Sequence, residues 1–260
     1  MSRASRDVER PRWVGGLIGF AGLIALWYLL ALTVLAHKHV LPTPNSVVAT
    51  IFHDPTYALW PALATTAGEA ALGFLWGNAI ALSLALAFVM VPLLERALLR
   101  VVLATYCMPV IAIGPILQIV LNGTAPKIVL AAMSVLFTTL IGALSGLRSA
   151  DPVSLDLVRA YGGGRVKELT KVRFSAALPS TFAGLAISGP AALLGAIIGE
   201  YLGATQGIGI GIINSEEALN DQRVWAIAVV VTAVAGAAYL TISLIGRALT
   251  PWAPRRPAGR

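Results

Sequence analysis

Charge is what this sequence lacks most. Of its 260 residues only 12% are charged, against roughly 25% in soluble domains, which excludes an ordinary water-soluble fold. There is one cysteine, Cys107, so no internal disulfide can form, and inside an apolar run it is expected to be a small buried residue. The histidines His37, His39 and His53 have no Cys/His/acid cluster around them, so no metal site is expected. No G-x-x-x-x-G-K-[ST] phosphate loop occurs, and no nucleophile–base–acid set lies in the polar loops. The chain is therefore expected to be no enzyme, to carry no cofactor, and to bind no ATP itself. Gly207-Ile-Gly209-Ile-Gly211 imitates part of a dinucleotide fingerprint but lacks the strand–turn–helix context, and reads as a flexible turn.

Apolar length is what the sequence has in abundance, with 57% of residues hydrophobic. Charge-free runs extend from Arg12 to Lys38, Glu69 to Glu95, Arg100 to Lys127, Lys127 to Arg148, Arg173 to Glu200 and Arg223 to Arg247. A helix of about 20 such residues crosses a hydrocarbon core some 30 Å thick, whereas barrel strands are short and alternate in polarity. The prediction is an all-α, polytopic membrane protein with six transmembrane helices, at about 13–36, 63–91, 98–121, 127–147, 180–202 and 224–248. The first run is too long for a signal peptide and lacks a clean cleavage site, so it is read as retained. The organisation is then an N-terminal segment 1–12, a transmembrane domain 13–248 and a tail 249–260.

The formal net charge of +7 is a topology signal rather than a nucleic-acid footprint. With the N-terminus inside, the external side receives only Lys38, Lys127 and Arg223 of the 19 lysines and arginines, as the positive-inside rule demands. Both termini are thus expected in the cytoplasm, with the protein in a bacterial plasma membrane.

Several positions stand out within the helices. Pro109 and Pro115, beside Met108 and Gly114, free backbone carbonyls, which in a membrane must find partners or line a cavity. A broken helix beside a transport path, or an ordinary packing kink, would satisfy them. Gly195, Gly199 and Gly203 recur every four residues and make one face fit for close helix approach. Glu69 and Glu200 stand near the outer ends of their helices, where snorkelling or capping is the simpler role. Glu200 is also a pathway candidate, since intramembrane acids are functional suspects. Pro42 and Pro44 stiffen the entry to a short interfacial helix over 46–52, and Glu216, Glu217 and Asp221 form an external acidic patch.

The polar island is the loop 148–179. Asp151-Pro152 suits a helix start, with Asp as N-cap and Pro at N1. A short helix over 153–161 then meets Gly162-Gly163-Gly164, which breaks it because glycine tolerates positive φ. A second helix over 165–174 follows, and Pro179 is expected to open the fifth membrane helix.

Asp156-Leu-Val-Arg159-Ala160-Tyr161-Gly162-Gly163-Gly164-Arg165 resembles the E-A-A-R-x-L-G-A-S motif of permeases in binding-protein-dependent ABC importers. The continuation from Lys171 through Pro179 to Gly184-Leu185 resembles that family's K-V-x-L-P-A-A-L-P-x-I-x-x-G-L. Leu41-Pro-Thr-Pro44, Gly73-Phe74, Met108-Pro109, Lys127-Ile128 and Glu200-Tyr-Leu-Gly203 fall in the order of its nitrate/sulfonate/taurine branch. Departures include Asp156 for the motif's Glu and Glu69 where an Arg is common. The resemblance implies a type I (MetI-like) permease fold and a coupling helix formed by Asp156, Arg159, Ala160, Tyr161, Gly162, Gly163, Gly164 and Arg165. It further implies two ABC ATPase subunits that hold the ATP, a second permease copy, and an extracytoplasmic solute-binding protein. The pathway would pass Met108, Pro109, Pro115 and Glu200. The implied substrate is a small anion such as a sulfonate, taurine or nitrate, or alternatively a vitamin precursor or other heterocycle. An ATPase-independent secondary transporter would instead need buried ionisable groups along a route and internal repeats.

Overall fold

The computed structural model describes residues 12–33, 41–54 and 58–253. Arg3, Arg6 and Arg10, the stretch with His37, Lys38 and His39, and the terminal Arg255, Arg256 and Arg260 lie outside the described residues. Among the described residues every element is helical: α1 (Arg12–Leu32), α2 (Pro44–His53), α3 (Leu59–Met90), α4 (Pro92–Cys107), α5 (Val110–Val120), α6 (Ala125–Arg148), α7 (Pro152–Ala160), α8 (Arg165–Glu168), α9 (Phe174–Tyr201), α10 (Ile208–Glu217) and α11 (Asp221–Leu249). Five helices are long and apolar enough to cross a membrane, and α4 with α5, bent by 96°, makes six when counted as one broken span.

Four features depart from the sequence expectation. The helix expected over 98–121 is two helices, because Pro109 has no N–H to donate and forces Met108 into an extended conformation (φ −71°, ψ 130°). Pro179 does not open the fifth span. It lies inside α9, and a π-helical turn at Leu169–Arg173 fuses α8 to α9 into one helix from Arg165 to Tyr201. The glycine stretch after residue 206 is likewise no flexible turn, since α10 begins at Ile208. Cys107, expected to be buried, is exposed at the end of α4.

The core is α3, α6 and α9. Successive contacts pair Glu69 with Lys127 and Asn78 with Thr139, so α3 and α6 run parallel. On the other side Gly146 meets Ala177 and Gly199 meets Lys127, so α9 is antiparallel to both. A methyl at Gly195 would lie 2.7 Å from Ala131 Cα, and one at Gly199 would lie 2.8 Å from Lys127 Cα. In lipid such backbone approach replaces the hydrophobic effect as the source of helix association. Gly203, the third member of the predicted row, lies beyond the end of α9 in a turn with φ +154°.

Two apolar clusters fill the core, one with Ala131, Val135, Ala196, Ile208 and Ile227, the other with Ala85, Phe88, Leu140 and Leu147. Between them Asn78 Oδ1 accepts hydrogen bonds from Thr139 and from Ser188 (3.4 Å), while its amide donates to the Phe74 carbonyl at 2.7 Å. One side chain thereby links all three core helices where no water can serve the polar groups. α11 packs on α9, with Gly246 against Phe182.

Candidate functional site

The polar end of the molecule is built on α7 to α9. Asp151 caps α7 as its position beside Pro152 predicts, its carboxylate accepting from the Ser154 N–H at 3.0 Å and the Val153 N–H at 3.4 Å. The Ser154 hydroxyl adds a third bond at 2.8 Å. These bonds, the Ser154 side chain's first, hold the Asp151 carboxyl below its ordinary pKa.

The other end of α7 closes as a Schellman turn. Gly162 N–H donates to the Arg159 carbonyl at 2.9 Å and Gly163 N–H to the Val158 carbonyl at 2.8 Å. Gly162 takes φ +73°, where a Cβ would be strained. Gly163 is required for a different reason, since a methyl there would sit 2.6 Å from the Val158 carbonyl oxygen. A methyl at Gly164 would meet nothing within 4 Å.

Arg159 turns back from α7 to brace the next helix. Its Nε donates to Glu168 at 2.8 Å and Nη1 to Asp156 at 3.0 Å. The Glu168 hydrogen bond is the main reason the guanidinium's pKa is raised still further. Glu168, buried where it meets Arg159, also lies 3.7 Å from Arg173, which itself donates to the Leu147 carbonyl at 3.0 Å. Arg165 donates to the Met90 carbonyl at 3.2 Å, and Arg148 is paired with Glu95. Glu168 is the member of this cluster that the sequence reading missed. The signal was an acid nine residues past Arg159, which becomes legible only once the glycine turn folds the chain back.

The brace leaves one face of α7 uncovered. Leu155 is buried, while Val153, Leu157 and Tyr161 are 75%, 59% and 83% exposed. Their spacing of four residues puts them in one row, and Val166, 62% exposed, follows on α8.

The opposite end holds charge inside the protein. Glu69 and Lys127 form an ion pair at 3.0 Å with both side chains under 10% exposed, and Glu69 Oε2 has no hydrogen-bond partner. Glu200 is fully buried. Its Oε1 accepts from the Thr66 hydroxyl at 2.6 Å and its Oε2 from the Gly209 N–H at 2.7 Å. Of the snorkelling or capping role expected for both glutamates, snorkelling is replaced by burial, while Glu200 does cap a helix, through the Gly209 N–H at the start of α10. The reason for the burial is that α6 and α10 cover the very ends of α3 and α9 where water was expected.

The remaining pathway candidates lie elsewhere. Met108 and Pro109 occupy the exposed corner between α4 and α5, and Pro115 lies within α5, which packs on α9 through Gly114 and Leu202. Beside the corner is an open cavity of about 290 Å³ bordered by Thr105, Tyr106, Met133, Ser134 and Phe137. Tyr106 and Phe137 stack there with ring centroids 4.0 Å apart.

Residues 77–257 match the family described as "Binding-protein-dependent transport system inner membrane component". A Haemophilus influenzae protein described as a probable ABC transporter permease protein is 28% identical over 223 residues, covering 85% of this chain and 90% of that protein. A Bacillus subtilis candidate for an aliphatic sulfonates transport permease protein, SsuC, is 26% identical over 94% of this chain and 89% of its own length. Among solved structures, a chain of the inward-facing MetNI methionine ABC transporter aligns over 76% of this chain and 99% of its own with a TM-score of 0.62. Sequence identity there is 17%, so the likeness is one of fold.

Proposed function

The chain belongs to the family of binding-protein-dependent transport system inner membrane components, and from that premise we propose a specific division of labour for its two ends. The protein is a multi-pass, non-catalytic permease subunit of an ABC importer in the inner membrane. In the proposed arrangement the arginine-rich end, with α7, faces the cytoplasm and both termini lie on that side, in keeping with the excess of basic residues there. Two copies of the chain form the pathway, two ATPase subunits bind beneath them, and a solute-binding protein docks on the outer face.

The observation that carries this reading is the uncovered row Val153, Leu157 and Tyr161 on a helix fixed at both ends. An apolar row facing water on a nine-residue helix has no structural use in the isolated chain, and it suits insertion into a groove of another protein. Asp156, Arg159 and the glycine turn hold that row in place. Because Glu168 belongs to the same continuous helix as α9, a pull on α7 passes through the Arg159–Glu168 pair into the core. When two ATPases close on ATP, the core then has two states to choose between. The exposed corner at Met108 and Pro109, with Pro115 beyond it, borders the pathway in this arrangement.

A small anion such as a sulfonate, taurine or nitrate is the proposed cargo, supported by the name of the Bacillus subtilis relative. Lys127, the buried lysine, is occupied by Glu69, so selection of an anion falls mainly to the solute-binding protein. Co-purification tests the coupling: the wild-type chain should retain an ATPase, and Leu157→Asp or Tyr161→Asp should lose it. Retention by both variants would reject α7 as the docking element. Calorimetry of the associated binding protein with taurine and nitrate tests the cargo, and no heat with either would reject it.

A further inference from the structure

The first amide groups of α10 present a problem that its own sequence does not solve. The N-cap is Gly207, which has no side chain to accept a hydrogen bond. Ile208 and Gly209 are buried, so water cannot reach their N–H groups, and a stranded buried donor is costly. Both are served from other helices. The Thr66 hydroxyl of α3 accepts from the Ile208 N–H at 2.9 Å and donates to Glu200 at 2.6 Å. Glu200 of α9 accepts from the Gly209 N–H at 2.7 Å. The chain is shaped to this arrangement: a methyl on Gly207 would lie 2.6 Å from Glu200 Oε2, and one on Gly209 would lie 2.6 Å from Glu200 Cβ.

We propose that Glu200 and Thr66 are positioning residues that latch the external helix α10 to the gating core, so that a protein docking outside acts on the core through them. The proposal rests on the importer reading for the identity of that outer partner, the solute-binding protein. The Glu69–Lys127 pair ties α3 to α6 at the same level, which makes α3, α6, α9 and α10 one block at the outer end. α10 leads through Leu219, 87% exposed and held at φ +53°, into α11. There Arg223 grips Asp54 beyond α2 through Nε at 2.6 Å and Nη2 at 3.2 Å. A push on this rim reaches α9 through the latch. Glu200 is thereby a positioning residue, fully buried and held by Thr66 and the Gly209 N–H.

Two measurements on the full-length protein test this. In lipid nanodiscs, amide hydrogen exchange over 207–217 should quicken about tenfold in Glu200→Ala and Thr66→Val, the size expected when one buried hydrogen bond is lost. Exchange should return to the wild-type rate in Glu200→Gln and Thr66→Ser, which keep an acceptor and a hydroxyl in place. Gly207→Ala, which crowds the carboxylate from the other side, should behave like Glu200→Ala. In the reconstituted complex, stimulation of ATP hydrolysis by the loaded binding protein should fall in the first pair and hold in the rescue pair. Unchanged exchange in Glu200→Ala, absent rescue, or full stimulation despite a loosened α10 would overturn the latch. A wild-type chain that carries no ATPase would sink the importer reading instead, and the exchange experiment would still decide the latch.

Discussion

The two ends of this permease solve one mechanical problem, fixing a short helix to a long one, with opposite electrostatics. At the polar end Arg159, more than half exposed, ties α7 to Glu168 across a glycine turn. At the opposite end Glu200, fully buried, ties α10 to α9 and α3, beside a buried Glu69–Lys127 pair. The joint at Arg159 tolerates more change, because water reaches the guanidinium and its second partner Asp156. The dry joint does not, because a charge or amide left alone inside has no substitute. The same turn chemistry recurs at both ends. Gly162 closes α7 with positive φ, and Leu219 closes α10 with the same bonding pattern, Asn220 N–H to the Ser215 carbonyl at 2.9 Å. Glycine makes the turn after α7 easy, while the one after α10 bears the strain of a side chain in the left-handed region.

The largest effect expected from this contrast lies at the dry end. Lys127→Met should destabilise the protein by about 3–5 kcal/mol, the usual cost of orphaning a buried ion-pair partner, measured as thermal unfolding in detergent. Adding Glu69→Gln should recover most of that loss, and a double variant as unstable as the single one would contradict it. Next come the glycines of the turn after α7. Gly162→Ala should cost about 1–2 kcal/mol from its left-handed backbone, and Gly163→Ala should weaken ATPase retention through its clash with Val158. Gly164→Ala should leave both stability and retention unchanged, so equal losses at Gly162, Gly163 and Gly164 would refute this reading of the turn.

Salt separates the ends more finely. Near 1 M ionic strength the Debye length is about 3 Å, so the exposed Arg159–Asp156 pair should loosen, and the Arg159–Glu168 pair, whose acid is buried, should loosen less. Amide exchange over 152–168 should quicken while the segment around Lys127 stays protected. Equal salt responses at the two ends would erase the contrast. The smallest effect is that of the Asp151 cap. Its native pKa is depressed below its unfolded value of about 3.9. The cap therefore contributes fully above that value and is lost as pH falls through the lower native one. Helicity of α7 should hold from neutral pH to about 4 and fray only in stronger acid.

Much of the architecture was legible from residue order. Asp151-Pro152 marked the start of α7 and Gly162 its end because caps and turns are local, decided by groups a few residues apart. Pro109 announced a break, though the sequence left open whether it was a kink or a corner of 96°. Pro179 misled because a proline is tolerated inside a membrane helix, as Pro190 is further along α9. Gly203 continued a four-residue rhythm after the helix had already ended. Glu168 escaped notice because its partner lies across a reversal of the chain.

By itself the sequence determined that the chain is helical, that it crosses a membrane, how many apolar runs do the crossing, and that a capped polar helix interrupts them. Those properties follow from hydrophobic length and local hydrogen bonding. Only the tertiary structure decided which polar groups would be dry. Glu69 meets Lys127 from 58 residues away and Glu200 meets Thr66 from 134 away. Burial is set by what the rest of the fold lays over a residue, and no nearby residue records it.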